Sequence, residues 1–375
     1  MGNYLFYGLN AFAVTALLIT WLRPAAAWLG LLDRPNARKV HDGAIPACGG
    51  IAMFASIAVS NAGHGFAIGL PLAAVLALGA IVVTGFIDDR RPLPSLPRLV
   101  VQGGAAVALV FLALDAPVNV GFGSLPGSLG EELRILAPVI AVLLIVGTIN
   151  AVNMMDGVDG LAGGYLTFSF FWLALIAMAA GRPELALESL VIMSAVLGFL
   201  VYNLRHRWRS RAAVFMGDAG STLLGAAIAY LMLRLASGAG GLPLPVLLWL
   251  VVVPATDTML LILRRLADGR SPFQADRRHL HHLLQDSGLS VTQTTALLAA
   301  VSALYGGVAY LAVLVHLPEG LAALGLLLAM ALHGGLVVGL TRRLARKAAI
   351  KPAARATTLG PLASLPISAG NKRNA

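Results

Sequence analysis

Carboxylate and amide side chains end two of the long apolar segments in this sequence. Asp88 and Asp89 close one run, and a second run ends with polar residues at every third position, namely Asn150, Asn153, Asp156 and Asp159. Two neighbouring carboxylates repel each other unless a cation or a proton lies between them. Carboxylate and amide oxygens are also ligands for a hard divalent cation. Both segments have structural alternatives, an ion pair of Asp89 with Arg90 or Arg91 and a glycine-rich helix end at 157–160.

Two further aspartates accompany later apolar runs. Asp218 opens one of them, a position where an aspartate is also an ordinary helix N-cap. Magnesium with a bound phosphate requires hard oxygen donors from separate helix ends, which favours a functional role for Asp218. Asp257 lies inside another run. It either belongs to a functional site or pairs with Arg264 or Arg265.

The longest loop between later apolar runs combines histidines with arginines. Its members are Arg277, Arg278, His279, His281 and His282. Histidines alone would suggest zinc, but guanidinium groups pair with phosphate oxygens in a bidentate manner, so the loop is predicted to hold a diphosphate. The alternative is a solvated amphipathic loop. A separate basic segment contains Lys39 and His41, which either contact substrate or only fix the topology.

The composition is that of a membrane protein. Hydrophobic residues make up 58% of the 375 positions and charged residues 12%, against about 25% charged residues in a soluble domain. Apolar runs of spanning length are predicted at 3–22, 49–63, 65–86, 99–115, 134–151, 161–180, 187–203, 218–237, 245–263, 294–315 and 320–341. Lipid permits only helices or closed barrels, and these runs lack the alternation of barrel strands.

The sequence therefore predicts an all-α polytopic membrane protein with ten or eleven transmembrane helices. Residues 1–345 are expected to form a single transmembrane domain, and 346–375 a disordered cytoplasmic tail. The single cysteine, Cys48, excludes a disulfide framework and a multi-cysteine metal site.

The distribution of charge predicts the topology. The net charge is +10, but if the N-terminus is periplasmic, all 27 Lys and Arg residues except Arg134, Arg182 and Arg234 lie on the inner side. This positive-inside bias explains the basic excess without a nucleic-acid partner, and it places the C-terminus in the cytoplasm. Every aspartate except Asp115 also lies on the inner side. We therefore expect a site that faces the cytoplasm from a bacterial inner membrane, in contact with membrane lipids.

Together the motifs resemble those of a known family, the polyprenyl-phosphate N-acetylhexosamine-1-phosphate transferases of glycosyltransferase 4 type. The resemblance covers about residues 33–290 and is carried, in family order, by Asp88-Asp89, Asn153-Met154-Met155-Asp156-Gly157-Val158-Asp159-Gly160, Phe215-Met216-Gly217-Asp218 and His279-Leu280-His281-His282. The form of the histidine loop is similar to the UDP-N-acetylglucosamine branch. One departure is Ala47-Cys48, where relatives often carry a basic residue.

The resemblance implies transfer of N-acetylhexosamine-1-phosphate, with GlcNAc-1-phosphate favoured, from a UDP-N-acetylhexosamine to undecaprenyl phosphate. UMP is released, and the product starts a cell-surface glycan. Asn153 and Asp218 would hold Mg²⁺, for which Mn²⁺ can substitute. Asp88, Asp89 and His281 would be the catalytic residues. The implied substrate-binding residues are Asn150, Asp156, Asp159, Arg277, His279, His282, Lys39 and His41.

Two alternatives remain open from the sequence. A secondary transporter also uses intramembrane acids and broken helices, although its site would lie at the bilayer midplane rather than at the inner ends of the spans. A homodimer is a further arrangement that we consider.

Overall fold

The computed structural model describes residues 2–33, 43–63, 69–114, 116–121, 135–271 and 278–356, and this part of the chain is a bundle of helices. The helices are α1 Gly2–Ala25, α2 Gly49–Gly63, α3 Leu72–Arg90, α4 Ser95–Leu112, α5 Ala137–Met155, α6 Leu161–Ala179, α7 Pro183–Asn203, α8 Gly217–Ala236, α9 Leu244–Leu247, α10 Val252–Ala267, α11 Leu280–Asp286, α12 Val291–Leu314 and α13 Glu319–Ala356. A 3-10 turn, Leu248–Val251, joins α9 to α10. Two short strands, β1 Leu32–Asp33 and β2 Ile45–Pro46, pair antiparallel with Leu32 opposite Pro46.

The spans confirm the helical polytopic class. Within the described ranges, ten helical segments are long and apolar enough to cross a membrane, and α9, the 3-10 turn and α10 count as one of them. α2 has 15 residues and is shorter than these. α7 has 21 residues because it begins at Pro183, four residues before the predicted run, with Glu184 in its first turn. α13 continues to Ala356, beyond the predicted domain boundary at 345.

α8 lies at the centre of the bundle. The whole of its spanning window is buried, compared with 17% of the window of α1. Small residues let neighbouring backbones approach it closely, as glycine does between membrane helices. A Cβ atom at Gly50 of α2 would collide with the backbone of Gly220, and one at Gly85 of α3 would lie 2.5 Å from Ala219. The position of the α8 N-terminus is therefore set by contact with α2 and α3.

Polar contacts hold several helix ends together at one end of the bundle. The last turn of α3 contacts the first turn of α4 through Asp88 and Arg98. The last turn of α5 contacts the first turn of α8 through Asn153 and Asp218. The N-terminus of α6 is tied to the end of α7, because the Gly160 N–H donates to the side chain of Asn203. These contacts bring the sequence motifs to one place.

The opposite end of α8 carries a separate buried ion pair. Arg234, in the last turn of α8, donates through Nη1 to both carboxylate oxygens of Glu188 of α7, at 2.6 and 2.9 Å. Both residues are less than one tenth exposed. This pair lies a helix length away from the motif residues and serves below as a control.

Candidate active site

Asn153 and Asp218 meet, as the sequence predicts. Asn153 Nδ2 donates to Asp218 Oδ1 at 2.7 Å and to Ser221 Oγ at 2.9 Å. Ser221 was not predicted as a site residue, although it lies three positions after Asp218 and therefore on the same face of α8. The amide of Asn153 is therefore within hydrogen-bonding distance of both a carboxylate and a hydroxyl.

Asp88 is held by an arginine that the sequence analysis did not single out. Asp88 Oδ2 accepts from Arg98 Nη1 at 2.7 Å, and its Oδ1 accepts from the backbone N–H of Leu93. The same Arg98 Nη1 lies 3.9 Å from Asp218 Oδ2. A guanidinium between two carboxylates offsets their repulsion. Arg98 thus connects the acid at the end of α3 with the acid at the start of α8.

Asp89 holds the first residues of α8. Its Oδ1 accepts from the backbone N–H of Asp218 at 2.8 Å, and its Oδ2 accepts from that of Ala219 at 3.2 Å. The first N–H groups of a helix have no partner within the helix, and a carboxylate there is favourable. Gly217 lies against this carboxylate with φ +71, and a Cβ atom would collide with it. Asp89 therefore fixes the orientation of Asp218, and the catalytic role predicted for Asp89 stays a prediction.

A cavity beside these residues opens between α3, α4 and α5. Asn150 is one of its lining residues, and Asn150 Nδ2 donates to Gln102 Oε1 at 2.8 Å. The complete lining is Ile81, Thr84, Gly85, Asp88, Arg98, Val101, Gln102, Asn150, Asn153, Asp218 and Thr222. It combines charged groups with apolar residues from the spans.

Asp156 and Asp159 occupy the turn between α5 and α6. Asp156 follows the last residue of α5, and its N–H donates to Val152 O at 3.1 Å. Asp159 Oδ2 accepts from Arg205 Nε at 2.7 Å and from the backbone N–H of Ala212 at 2.8 Å. Asp159 thus ties the segment between α7 and α8 to the α5–α6 turn. The substrate roles of both aspartates remain predictions.

The histidines before and within α11 lie close together, and the rings of His279 and His281 are buried and stacked. The rings of His279 and His281 are 5.5 Å apart with 9° between their planes, and the His282 ring lies 4.2 Å from that of His281. His281 is 2% exposed, and burial lowers its pKa to about 3, with His282 and His279 acting in the same direction. The ring is therefore neutral near pH 7.

The ring of His281 also faces the α5–α6 turn. Among the residues that the structure describes, its Nε2 has no hydrogen-bond partner, and a Cβ atom at Gly157 would collide with it. This close approach brings the histidine stack next to Asp156. His281 is thus placed where it can act on a group bound between α11 and the end of α5. The predicted residues Lys39, His41 and Arg277 lie outside the described residues.

The oxygen ligands at this site are of mixed type. Within the described ranges, no group of three or more His, Cys, Asp or Glu side chains is arranged to hold a metal ion. Magnesium keeps several waters and is commonly bound by one or two carboxylates together with substrate phosphates. Asn153, Asp218 and Ser221 match that incomplete ligand set, whereas a structural zinc site would need four protein ligands.

Comparisons with known proteins agree with the motifs. The model of glycosyl transferase family 4 matches residues 71–236. The undecaprenyl-phosphate alpha-N-acetylglucosaminyl 1-phosphate transferase of Salmonella typhi is 35% identical over 87% of this chain and 89% of its own. Those of Escherichia coli strain K12 and Haemophilus influenzae are 33% and 31% identical, over 87% and 76% of this chain and 89% and 81% of their own. The chain belongs to the polyprenyl-phosphate N-acetylhexosamine-1-phosphate transferases of glycosyl transferase family 4.

Proposed function

We propose that this chain transfers N-acetylglucosamine-1-phosphate from UDP-N-acetylglucosamine to undecaprenyl phosphate, releasing UMP and starting a cell-surface glycan. The relatives are named undecaprenyl-phosphate alpha-N-acetylglucosaminyl 1-phosphate transferases, which supports the acceptor and the transferred group. The observation that carries the proposal is the convergence of Asn153, Asp218, Asp88 and Arg98 at one end of the bundle, beside a cavity with a partly apolar lining. Such a site suits a substrate with a phosphate and a lipid tail.

We propose that Asn153 and Asp218 act together as ligands of one divalent ion. The oxygen and nitrogen of an asparagine amide are assigned from their hydrogen bonds, and a half turn of the Asn153 amide would present Oδ1 where Nδ2 now meets Asp218 Oδ1. These two residues would then hold Mg²⁺ or Mn²⁺, with Ser221 beside them. When bound, the ion would neutralise charge on the phosphoryl oxygens.

The proposed reaction exchanges one phosphoanhydride for another. An oxygen of the lipid phosphate attacks the β-phosphorus of the donor and forms the new P–O–P bond. The bond from that phosphorus to the bridging oxygen breaks, and UMP leaves with the electron pair. A phosphate monoester has its second pKa near 6, so the acceptor is mostly a dianion at pH 7 and needs little help from a base.

The residues around the site have distinct proposed roles. Arg98 binds the acceptor phosphate from the cavity side, and Asp88 holds Arg98 through the 2.7 Å contact. Asn150 completes that wall of the cavity. Next to the α5–α6 turn, neutral His281 donates a hydrogen bond to the UDP-sugar. Positioning and charge neutralisation dominate phosphoryl transfer, and these residues supply both.

The site is proposed to face the cytoplasm. The basic segments predicted to be cytoplasmic adjoin the same helix ends as the site, and an exposed aromatic side chain accompanies them. Trp208 is 79% exposed, in the segment between α7 and α8, and Arg207 lies 4.6 Å from its ring centroid. Tryptophan favours membrane interfaces and Lys and Arg favour the cytoplasmic side. The transporter alternative has no comparable support, because the clustered polar residues lie at helix ends.

Purified protein in detergent tests the proposal. We expect UMP release that requires both undecaprenyl phosphate and a divalent cation, with the highest kcat/KM for UDP-N-acetylglucosamine among a panel of UDP-sugars. Asp218→Asn should abolish turnover, whereas Glu188→Gln, at the opposite end of α8, should remain active. The proposal is wrong if UMP release is absent, or if it proceeds equally without the lipid.

A further inference from the structure

Asp257 is a buried acid that the proposed mechanism does not use. It lies in α10, inside a spanning segment, and is 8% exposed. An ionisable side chain at such a position needs a partner or a function. Its carboxylate is fully engaged with the histidine loop, because Oδ2 lies 2.8 Å from His279 Nδ1 and Oδ1 accepts from the backbone N–H of Leu280 at 3.0 Å.

We propose that Asp257 is a positioning residue that holds the donor-binding histidine loop in place by fixing His279 and the first residue of α11. The inference rests on the proposed transferase function for its kinetic consequences. Asp257 itself contacts His279 and the backbone of Leu280 and acts through His279, so it need not touch substrate.

The connection to the site runs through stacked rings. His279 is held by Asp257 on one edge, and its ring lies nearly parallel to that of His281. His281 in turn faces Gly157, with no room for a Cβ atom between them. A shift of α11 would therefore move His281 away from the α5–α6 turn. Asp257 thus connects α10 to the residues proposed to bind the donor.

A carboxylate suits this position better than an amide. Both of its oxygens accept, so His279 can donate from Nδ1 while the Leu280 N–H donates to the other oxygen. A carboxylate that accepts from one ring nitrogen also sets the tautomer of a histidine. An asparagine of the same size offers one acceptor oxygen and one donor group. It can therefore accept from the Leu280 N–H or from His279 Nδ1, but not from both.

α13 completes the arrangement. His333 of α13 is 8% exposed, and its Nε2 lies 3.7 Å from Asp257 Oδ1. Three helices, α10, α11 and α13, therefore meet at one carboxylate. The long α13 packs along α10, the helix that carries Asp257, and so supports the position of Asp257.

Initial rates of Asp257→Asn test the kinetic consequence. The KM for the UDP-sugar should rise on the order of tenfold, the effect of losing one hydrogen bond to a charged group. The KM for undecaprenyl phosphate should change little, because that substrate binds on the Arg98 side. His279→Gln should give the same pattern. The double variant should be no worse than the more impaired single variant, because Asp257 acts through His279.

Hydrogen exchange supplies a readout that does not depend on activity. In Asp257→Asn, amides at the start of α11 should exchange faster than in the wild type, whereas in Glu188→Gln, which also loses a buried ion pair, they should not. The inference is overturned if both KM values change alike, if the effects of the single variants add fully, or if α11 exchange is unchanged. If Asp257→Asn does not fold, His279→Gln decides the same points. A wild type without transferase activity would contradict the proposed function but leave the exchange test intact.

Discussion

Replacing Asp89 by Asn distinguishes a carboxylate that holds α8 from one that takes part in the chemistry. Its two oxygens accept from the N–H groups of Asp218 and Ala219, at 2.8 and 3.2 Å. Asparagine has the same size but one acceptor oxygen, so one of these N–H groups loses its partner. A hydrogen bond to a charged group contributes about 1.5–3 kcal/mol. A negative charge at a helix N-terminus contributes about 0.3–1 kcal/mol more.

Together these effects predict a loss of roughly 2–4 kcal/mol at the start of α8. Because Asp218 is the acid that this contact orients, part of the loss should appear as weaker metal binding, tenfold for about every 1.4 kcal/mol. The assay is UMP release over a range of Mg²⁺ concentrations, with Glu188→Gln as the control. We expect Asp89→Asn to need about ten times more Mg²⁺ and then to recover most of the rate. A loss of about a hundredfold or more at saturating Mg²⁺, the size typical of a missing general base, would refute this reasoning.

Three further variants test other parts of the account. Gly50→Ala forces a Cβ atom against the backbone of Gly220 and should lower the thermal unfolding midpoint, since overpacking costs about 1–3 kcal/mol. Gly103→Ala has open space around its Cβ position and should leave the midpoint unchanged. Arg98→Leu should lower kcat/KM for undecaprenyl phosphate by about a hundredfold, and Arg98→Lys should recover part of it. An unchanged kcat/KM in Arg98→Leu would exclude a phosphate contact. Because the pKa of His281 falls from 6.5 to about 3 on folding, the unfolded chain binds more protons in that window. Stability should therefore decline as the pH falls below about 6.5, less steeply in His281→Gln, as measured by thermal unfolding; identical slopes would contradict the burial.

The fold class and the centre of the site could be predicted from the sequence. Apolar runs of spanning length identify membrane helices directly, and the aspartates on one side of the membrane indicate a shared location. The pairing of Asn153 with Asp218 was implied by the family resemblance, and their side chains are in contact at 2.7 Å. Their metal-binding role stays a prediction. The start of α7 was predicted too late, because Glu184 in its first turn interrupts the apolar pattern.

The supporting contacts depend on packing that a linear sequence does not contain. Asp89 accepts from the backbone N–H of Asp218, 129 positions later along the chain, which only the packing of α3 against α8 makes possible. Arg98 looked like one more basic residue of an inner loop, and its contact with Asp88 depends on the turn between α3 and α4. His279 and Asp257 are 22 positions apart. They lie on different elements, so no helical periodicity predicts their contact. Ser221 is the exception, since its spacing of three positions from Asp218 can be read from the sequence.

We propose that Asn153 and Asp218 together hold one divalent ion. Electron paramagnetic resonance of added Mn²⁺ measures this directly, as the number of bound ions per chain and their dissociation constant. We predict one Mn²⁺ per wild-type chain. Binding should weaken by about tenfold or more in Asn153→Ala and in Asp218→Asn, and it should be unchanged in Glu188→Gln. Equal Mn²⁺ affinity in the wild type and in both site variants would contradict it.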